Sequence, residues 1–420
     1  MKYEKYILKN KGVHNLEKRP FRKYRNAVVI PAFAESEYLP QTLRSLSENS
    51  PDELNDTMVV IVVNNPPPGT ADPAKLRENA AKLELMRSSQ FPCQDRLQFF
   101  WIDASSPGLE INPKEGVGAA RKIGMDLSLE FLDWEKEKPL LISLDADTVV
   151  EDNYLETVHE YFTANPQMAG AAINFRHQPG RTVEEDSAIT QYELFMRYYV
   201  EGLRIAKSPY AYNVLGSAMV CRSEDYVRAG GMRRRNGGED FYFMQALRKV
   251  GGIGQITGTT VHPSPRPSDR VPFGTGPRIS QILNGRDEMK FYNPEIFFIL
   301  KKLFSTVECL DIACPVFDIK KLDPMVKSYL VENKFFDEWK KILLNTPREK
   351  GKIPWAFHTW FDAFRTLKFV HFCEKKYPRL PLVDAYVGIF EKSGRVLPEK
   401  VRASERNLLE FMRNKKRRAL

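Results

Sequence analysis

The stretch "LLISLDADTVVEDNYL", Leu140 to Leu155, decides how the chain is read. An apolar run stops abruptly at Asp145, Ala146 and Asp147. Side chains on an extended strand alternate between faces, so on a continued strand Asp145 and Asp147 would share one face. Two carboxylates that close repel each other unless something neutralises them. A hard divalent cation does so well, taking carboxylate oxygen and sharing its shell with a substrate's phosphates. The plain alternative is a polar strand end running into a helix cap at Asp152.

The surrounding pattern places this stretch. "NAVVIPAF" and "TMVVIVVNN" read as buried strands, and "LQFFWIDA", "PLLISLDAD" and "AGAAINF" follow as three more. Between them lie helices over "SEYLPQTLRSLSEN" with a cap near Ser36, over about 74–86, and over about 115–132. A long helix is expected from about Val183 to Ala206. Continuous apolar strands alternating with helices predict a largely parallel sheet covered on both faces. Ligands of such sheets bind beyond the carboxyl ends of the strands. Ala32, Asn64, Asp103, Asp145 and Asp147 all fall at those ends. After about residue 290 the texture becomes a series of amphipathic helices, with Trp339, Trp355, Trp360, Phe361 and Phe364 expected in their core.

The chain has 420 residues, 42% hydrophobic and 28% charged, an ordinary globular balance. No apolar run approaches the roughly 20 residues that span a bilayer. The start, "MKYEKYILKNKG", has no apolar core of a signal peptide. Five cysteines at 93, 221, 309, 314 and 373 form no Cys-x-x-Cys, which argues against a zinc or disulfide framework and fits a reducing, cytoplasmic setting. A net charge of +9 favours anionic partners. The basic tail "RNKKRRAL" is a solvated helix end or a peripheral contact with an acidic membrane. The aromatic-interleaved basic motifs of RNA-binding folds are missing, so no nucleic-acid partner is expected.

Four segments in order, "VVIPAFAESEYLPQTLRSL", "GVGAARKIGMD", "LDADTVVEDNYL" and "GGEDFYFMQALRKVGG", make the chain resemble family 2 glycosyltransferases with a GT-A fold. The match covers residues 27 to about 262. The resemblance implies an N-terminal extension (1–26), a nucleotide-diphospho-sugar transferase domain (27–285) and a helical C-terminal region (286–420) beside the sheet or used for pairing as a homodimer. It implies transfer of a hexose-type sugar from a nucleotide-diphosphate donor to an acceptor hydroxyl on a glycan, a lipid-linked or a small molecule. Pro31, Phe33 and Glu35 match the turn that holds the nucleotide, with Ala34 where the family usually has Asn. Asn64 and Asn65 stand where an acidic pair usually reads the base. Gly116, Gly118 and Arg121 match the segment flanking the sugar diphosphate.

Asp145 and Asp147 match the family's Asp-x-Asp, implying Mn²⁺ or Mg²⁺, with His262 as a third ligand. In "GGED", Glu239 and Asp240 match the general base of inverting members, Asp240 being preferred. The loop after His262 carries Arg266, Arg270 and Arg278 as candidate phosphate clamps on a mobile lid. Retaining GT-A relatives that make small glycosylated glycerates share these motifs, so stereochemistry stays open. A nucleotidyltransferase lacks its glycine-rich signature here, and a non-enzymatic scaffold recruited through the basic tail is the third alternative.

Overall fold

The computed structural model describes residues 2–414, apart from 89–90, 94, 136–137, 269–273, 286–288, 311–314, 316–317 and 348. The chain forms two compact units. One comprises Met1–Ile189 with Val214–Asn284, the other Thr190–Asn213 with Gly285–Leu420. The helix Val183–Ile205 runs from the first into the second.

The first unit is built on eight strands: β1 (Asn26–Ala32), β2 (Thr57–Asn64), β3 (Gln98–Ala104), β4 (Leu140–Ser143), β5 (Thr148–Val150), β6 (Met168–Phe175), β7 (Met219–Arg222) and β8 (Gly252–Pro263). Their order in one sheet is β3-β2-β1-β4-β7-β6-β8-β5. β1 to β4 pair in parallel, as the continuous apolar runs predict, and every residue of β1 and β2 is buried. The other half is mixed. β7 runs antiparallel to β4 and β6, and β5 runs antiparallel to β8, so the sheet is less parallel than the sequence suggests. β5 and β7 are too short for their pattern to betray direction: three and four residues show no periodicity that separates a parallel partner from an antiparallel one.

Local chemistry sets the element ends. Pro31 has no N–H to donate and falls beyond the β1–β4 ladder, which stops at Val29 opposite Ser143. The helix Pro73–Arg87 starts with proline behind Asp72, whose carboxylate accepts from the Ala74 N–H at 2.8 Å. The expected cap at Ser36 is not used: the helix spans Leu39–Ser47 and follows Tyr38, and the Ser36 N–H goes to Glu78 instead.

The second unit is helical. Tyr198, Phe291, Phe297 and Tyr386 pack edge to face, and Phe335 stacks with Trp339 and touches Trp360. Trp339, Trp360 and Phe361 are buried as expected, whereas Trp355 is 44% exposed. Among the described residues no helix is long and apolar enough to cross a membrane. The tail residues 415–420 and Cys314 lie outside the described residues.

Glu193 is fully buried in this unit and holds two cations: Arg197, one turn along its own helix, and Arg413 near the C-terminus, whose Nε and Nη2 each donate at 2.8 Å. Arg413→Met keeps the side-chain volume but deletes two charge-assisted hydrogen bonds. It should destabilise the protein by about 2–3 kcal/mol, short of the full cost of a broken buried pair because Arg197 stays. Urea unfolding measures it; a loss within experimental scatter would show that Arg197 alone satisfies the carboxylate.

Candidate active site

The parallel strands β1 to β4 end along one edge, and the chain turns there between β4 and β5. β4 stops at Ser143; the Leu144 N–H donates to Val29 and the Thr148 N–H closes back on the Asp145 carbonyl at 3.2 Å. Asp145 and Asp147 therefore lie in a turn, not on an extended strand, and the shared face expected of them does not arise. Their carboxylates take different partners. Asp145 pairs with Arg121, and Asp147 pairs with Arg266 at 3.0 Å. From the helix Leu39–Ser47, the Thr42 hydroxyl donates to the Ala146 carbonyl at 2.8 Å, pinning the tip of the turn.

Arg121 projects from the helix Gly116–Ser128 and is 3% exposed. Besides Asp145 it meets Glu239, with Nη1 3.6 Å from the carboxylate. Glu239 and Asp240 open the helix Glu239–Val250, Glu239 buried and Asp240 half-buried. One guanidinium thus joins the Asp-x-Asp turn to the acid pair. Two glycines make room. A Cβ on Gly216 would stand 2.1 Å from Arg121 Nη2, and one on Gly118 would stand 2.5 Å from the Arg235 carbonyl, which accepts from the Gly118 N–H. Gly216 is a site residue the sequence reading missed; nothing in "NVLGSAMV" marks it except that glycine breaks an apolar run.

The electrostatics follow from this crowding. Burial pushes the Glu239 carboxyl up to about 7; Arg121 pulls it down, while Asp240 and Asp145 push further. Asp240 is raised for the same first reason, burial, again opposed by Arg121. Burial would lower the Arg121 value, but Asp145, Glu239, Asp240 and Asp147 outweigh it and hold the cation charged.

A second guanidinium closes the other side. Arg266 bridges Asp147 and the buried Glu35, and lies over the Tyr38 ring at 4.3 Å. Arg266, from the loop after His262, reaches the turn. Arg278 donates to Gln281 on its own helix, and Arg270 lies outside the described residues. β8 carries His262 opposite Val149 of β5, and Gln178 donates to the carbonyls of both Asp147 and His262. The His262 ring stands 3.6 Å from Glu151. The backbone of His262 is thus drawn beside the Asp-x-Asp turn. Yet among the described residues no group of three or more His, Cys, Asp or Glu side chains is gathered closely enough to hold a metal ion.

At the ends of β1 and β2, Asn79 is fully buried and ties three segments together. Its side chain accepts from the Ala34 N–H and donates to the Asn64 carbonyl and the Asn65 side chain. Phe33 is half-exposed beside this knot. Asn64 is 8% exposed, and its Oδ1 has no hydrogen-bond partner among the described residues. Asp103 is committed to protein partners: burial raises its pKa, but the backbone and hydroxyls of Ser105 and Ser106 donate to it and bring the net value below the usual one, and Arg87 donates to it at 3.3 Å.

No protein-family model and no curated protein matches the chain. Among solved structures, it is similar to S. aureus TarS (residues 1–349) in complex with UDP-GlcNAc: 12% identity, 93% of this chain and 88% of that one, TM-score 0.39. It is also similar to the mannosyltransferase PcManGT from Pyrobaculum calidifontis in complex with GDP-Man and Mn²⁺: 15% identity, 99% and 92% covered, TM-score 0.38. Likeness at this level decides nothing about chemistry; the side chains must.

Between its ordinary value of 4.5 and about 7, folded Glu239 keeps a proton that the unfolded chain has released. The folded state binds more protons there, so stability falls as pH rises through that window. Glu239→Gln cannot ionise and should flatten that part of the curve. Urea midpoints at about pH 5 and about pH 7.5 check it; an unchanged slope in the variant would place the proton elsewhere.

Proposed function

We propose that the protein is a glycosyltransferase that moves a sugar from a nucleotide-diphosphate donor to an acceptor hydroxyl, with a GT-A type arrangement. The observation that carries this reading is the buried Arg121, which meets Asp145 of the Asp-x-Asp turn and Glu239 of the acid pair at the edge where the parallel strands end. A transferase needs a carboxylate base and a diphosphate-holding group within reach of one reacting carbon. This edge supplies both.

The base end of the donor falls to the β1 and β2 termini. The unpartnered Asn64 Oδ1 can accept from a nucleobase N–H, while Pro31 stiffens the turn and Phe33 offers an apolar face. Gly118 lets backbone approach the diphosphate, and Glu35 keeps Arg266 aimed at the turn.

Asp240 is the general base. Burial raises its pKa, and it is the less buried of the two acids, so an acceptor can reach it. It takes the acceptor's proton as the hydroxyl oxygen bonds to the anomeric carbon. The bond from that carbon to the donor phosphate breaks, and its electron pair leaves with the nucleoside diphosphate. Glu239 positions Arg121, whose charge tempers the pKa rise in both acids.

The donor chemistry of Asp145 and Asp147 fits Mn²⁺ or Mg²⁺, because such ions commonly take one or two protein carboxylates and complete their shell with substrate phosphates and water. Held by these carboxylates, such a cation would supply positive charge to offset that of the departing diphosphate. His262 is the further ligand this reading offers, from its place on β8 beside the turn.

Asp240→Asn should lower kcat by about 100- to 10,000-fold while donor affinity holds. Equal loss of both would mean that Asp240 only supports the fold. The acid limb of the kcat/KM profile should lie above the ordinary aspartate range, and its disappearance in the variant identifies the base. The product anomer, read by proton NMR, decides inversion against retention.

Excess EDTA should abolish transfer and Mn²⁺ should restore it. Asp147→Ala should cost on the order of 100- to 1000-fold at saturating donor. Full activity in EDTA would remove the cation from the mechanism.

A further inference from the structure

The loop "GGMRRRNGGED" runs directly into the acid pair, and its three arginines are all exposed. The loop is not loose. The Arg235 carbonyl accepts from the Gly118 N–H at 3.1 Å, and the Asn236 N–H donates to the Lys114 carbonyl at 3.0 Å. Both bonds fasten it to the start of the helix that carries Arg121. The Arg235 guanidinium stacks over Tyr242 at 4.1 Å, and Tyr242 lies in the first turn after Glu239 and Asp240. The backbone of the basic triplet is thus fastened beside the helix that carries Arg121, and Arg235 is held against the first turn that Glu239 and Asp240 open.

Its charge is largely uncompensated. Arg234 lies 3.7 Å from Glu115 and keeps 47% of its side chain exposed. Arg233 makes no ion pair or side-chain hydrogen bond among the described residues, and Lys114, whose carbonyl holds the Asn236 N–H, is exposed as well. Glu115 is the only acid paired with the triplet among the described residues, and it meets Arg234 alone. The field of an exposed cationic cluster tethered to the loop that leads into the acid pair draws anions towards that side of the site.

We infer that the acceptor is a hydroxyl compound bearing a phosphate, held by Arg233 and Arg234 while its hydroxyl meets the acid pair. Two forked guanidiniums match the three oxygens of a phosphate and its nearly double charge, whereas one fork already satisfies a carboxylate. Arg235, committed to Tyr242, orients the loop. The inference rests on the glycosyltransferase reading for the identity of the acid pair. The arginine site itself does not depend on it. A free polyol phosphate and a lipid phosphate headgroup share this chemistry.

The test uses the full chain, wild type and Arg233→Ala/Arg234→Ala, in calorimetric titrations with glycerol 1-phosphate, glycerate and glycerol, with and without UDP. The wild type should bind glycerol 1-phosphate, bind glycerate at least about tenfold more weakly, and ignore glycerol. The double variant should lose about tenfold or more of the phosphate affinity per arginine, while UDP affinity holds. Arg233→Lys/Arg234→Lys keeps the charge but not the fork, and should recover only part of the loss.

Vesicles containing phosphatidylglycerol against pure phosphatidylcholine separate the sources. Arginine-dependent binding to the former alone assigns a lipid headgroup, and binding of the soluble compound alone assigns a free polyol phosphate. Equal binding of phosphate and neutral probes, or an unchanged double variant, overturns the inference. If UDP fails to bind while the arginine-dependent phosphate binding persists, the donor reading falls and the phosphate site stands.

Discussion

The site depends on one buried cation. Arg121 is almost wholly removed from water, and four carboxylates hold it charged there. Without it, Asp145 and Glu239 would be like charges sharing a poorly solvated edge, and both would be driven to protonate or separate. With it, the turn after β4 and the start of the Glu239–Val250 helix are drawn to the same point although they lie nearly a hundred residues apart. The arrangement is asymmetric: Asp145 is pinned, Glu239 is raised towards neutrality, and Asp240 is left accessible. Carboxylates in graded states within one cluster are what acid–base chemistry at neutral pH requires.

Arg266 works differently. Arg121 stands on a helix whose glycines let it pack closely, whereas Arg266 stands on the chain leaving β8 and bridges Glu35 to Asp147 across the turn. Any ligand with phosphates or a cation entering there must exchange with guanidinium contacts that already exist. Replacing one charged partner by another costs far less than stripping a charge bare, so such a site is both stable when empty and ready to exchange.

The ends of β1 and β2 are organised by amides. Ala34 adopts a φ of +52°, a conformation in which asparagine is enriched and alanine is uncommon. The strain is held by the hydrogen bond from the Ala34 N–H to the buried Asn79. Asn79 in turn orders Asn64 and Asn65 at the end of β2.

The apolar runs and their spacing determined the parallel half of the sheet, the helices between its strands and the place of Asp145 and Asp147 beyond a strand end, because hydrophobic periodicity is a local property. The directions of β5 and β7, the turn that separates the two aspartates, and the carboxylates that Arg121 and Arg266 each join were decided only in three dimensions. An ion pair across a hundred residues leaves no mark on the spacing of either partner, and a glycine such as Gly216 gains its meaning from the side chain that fills the space it leaves.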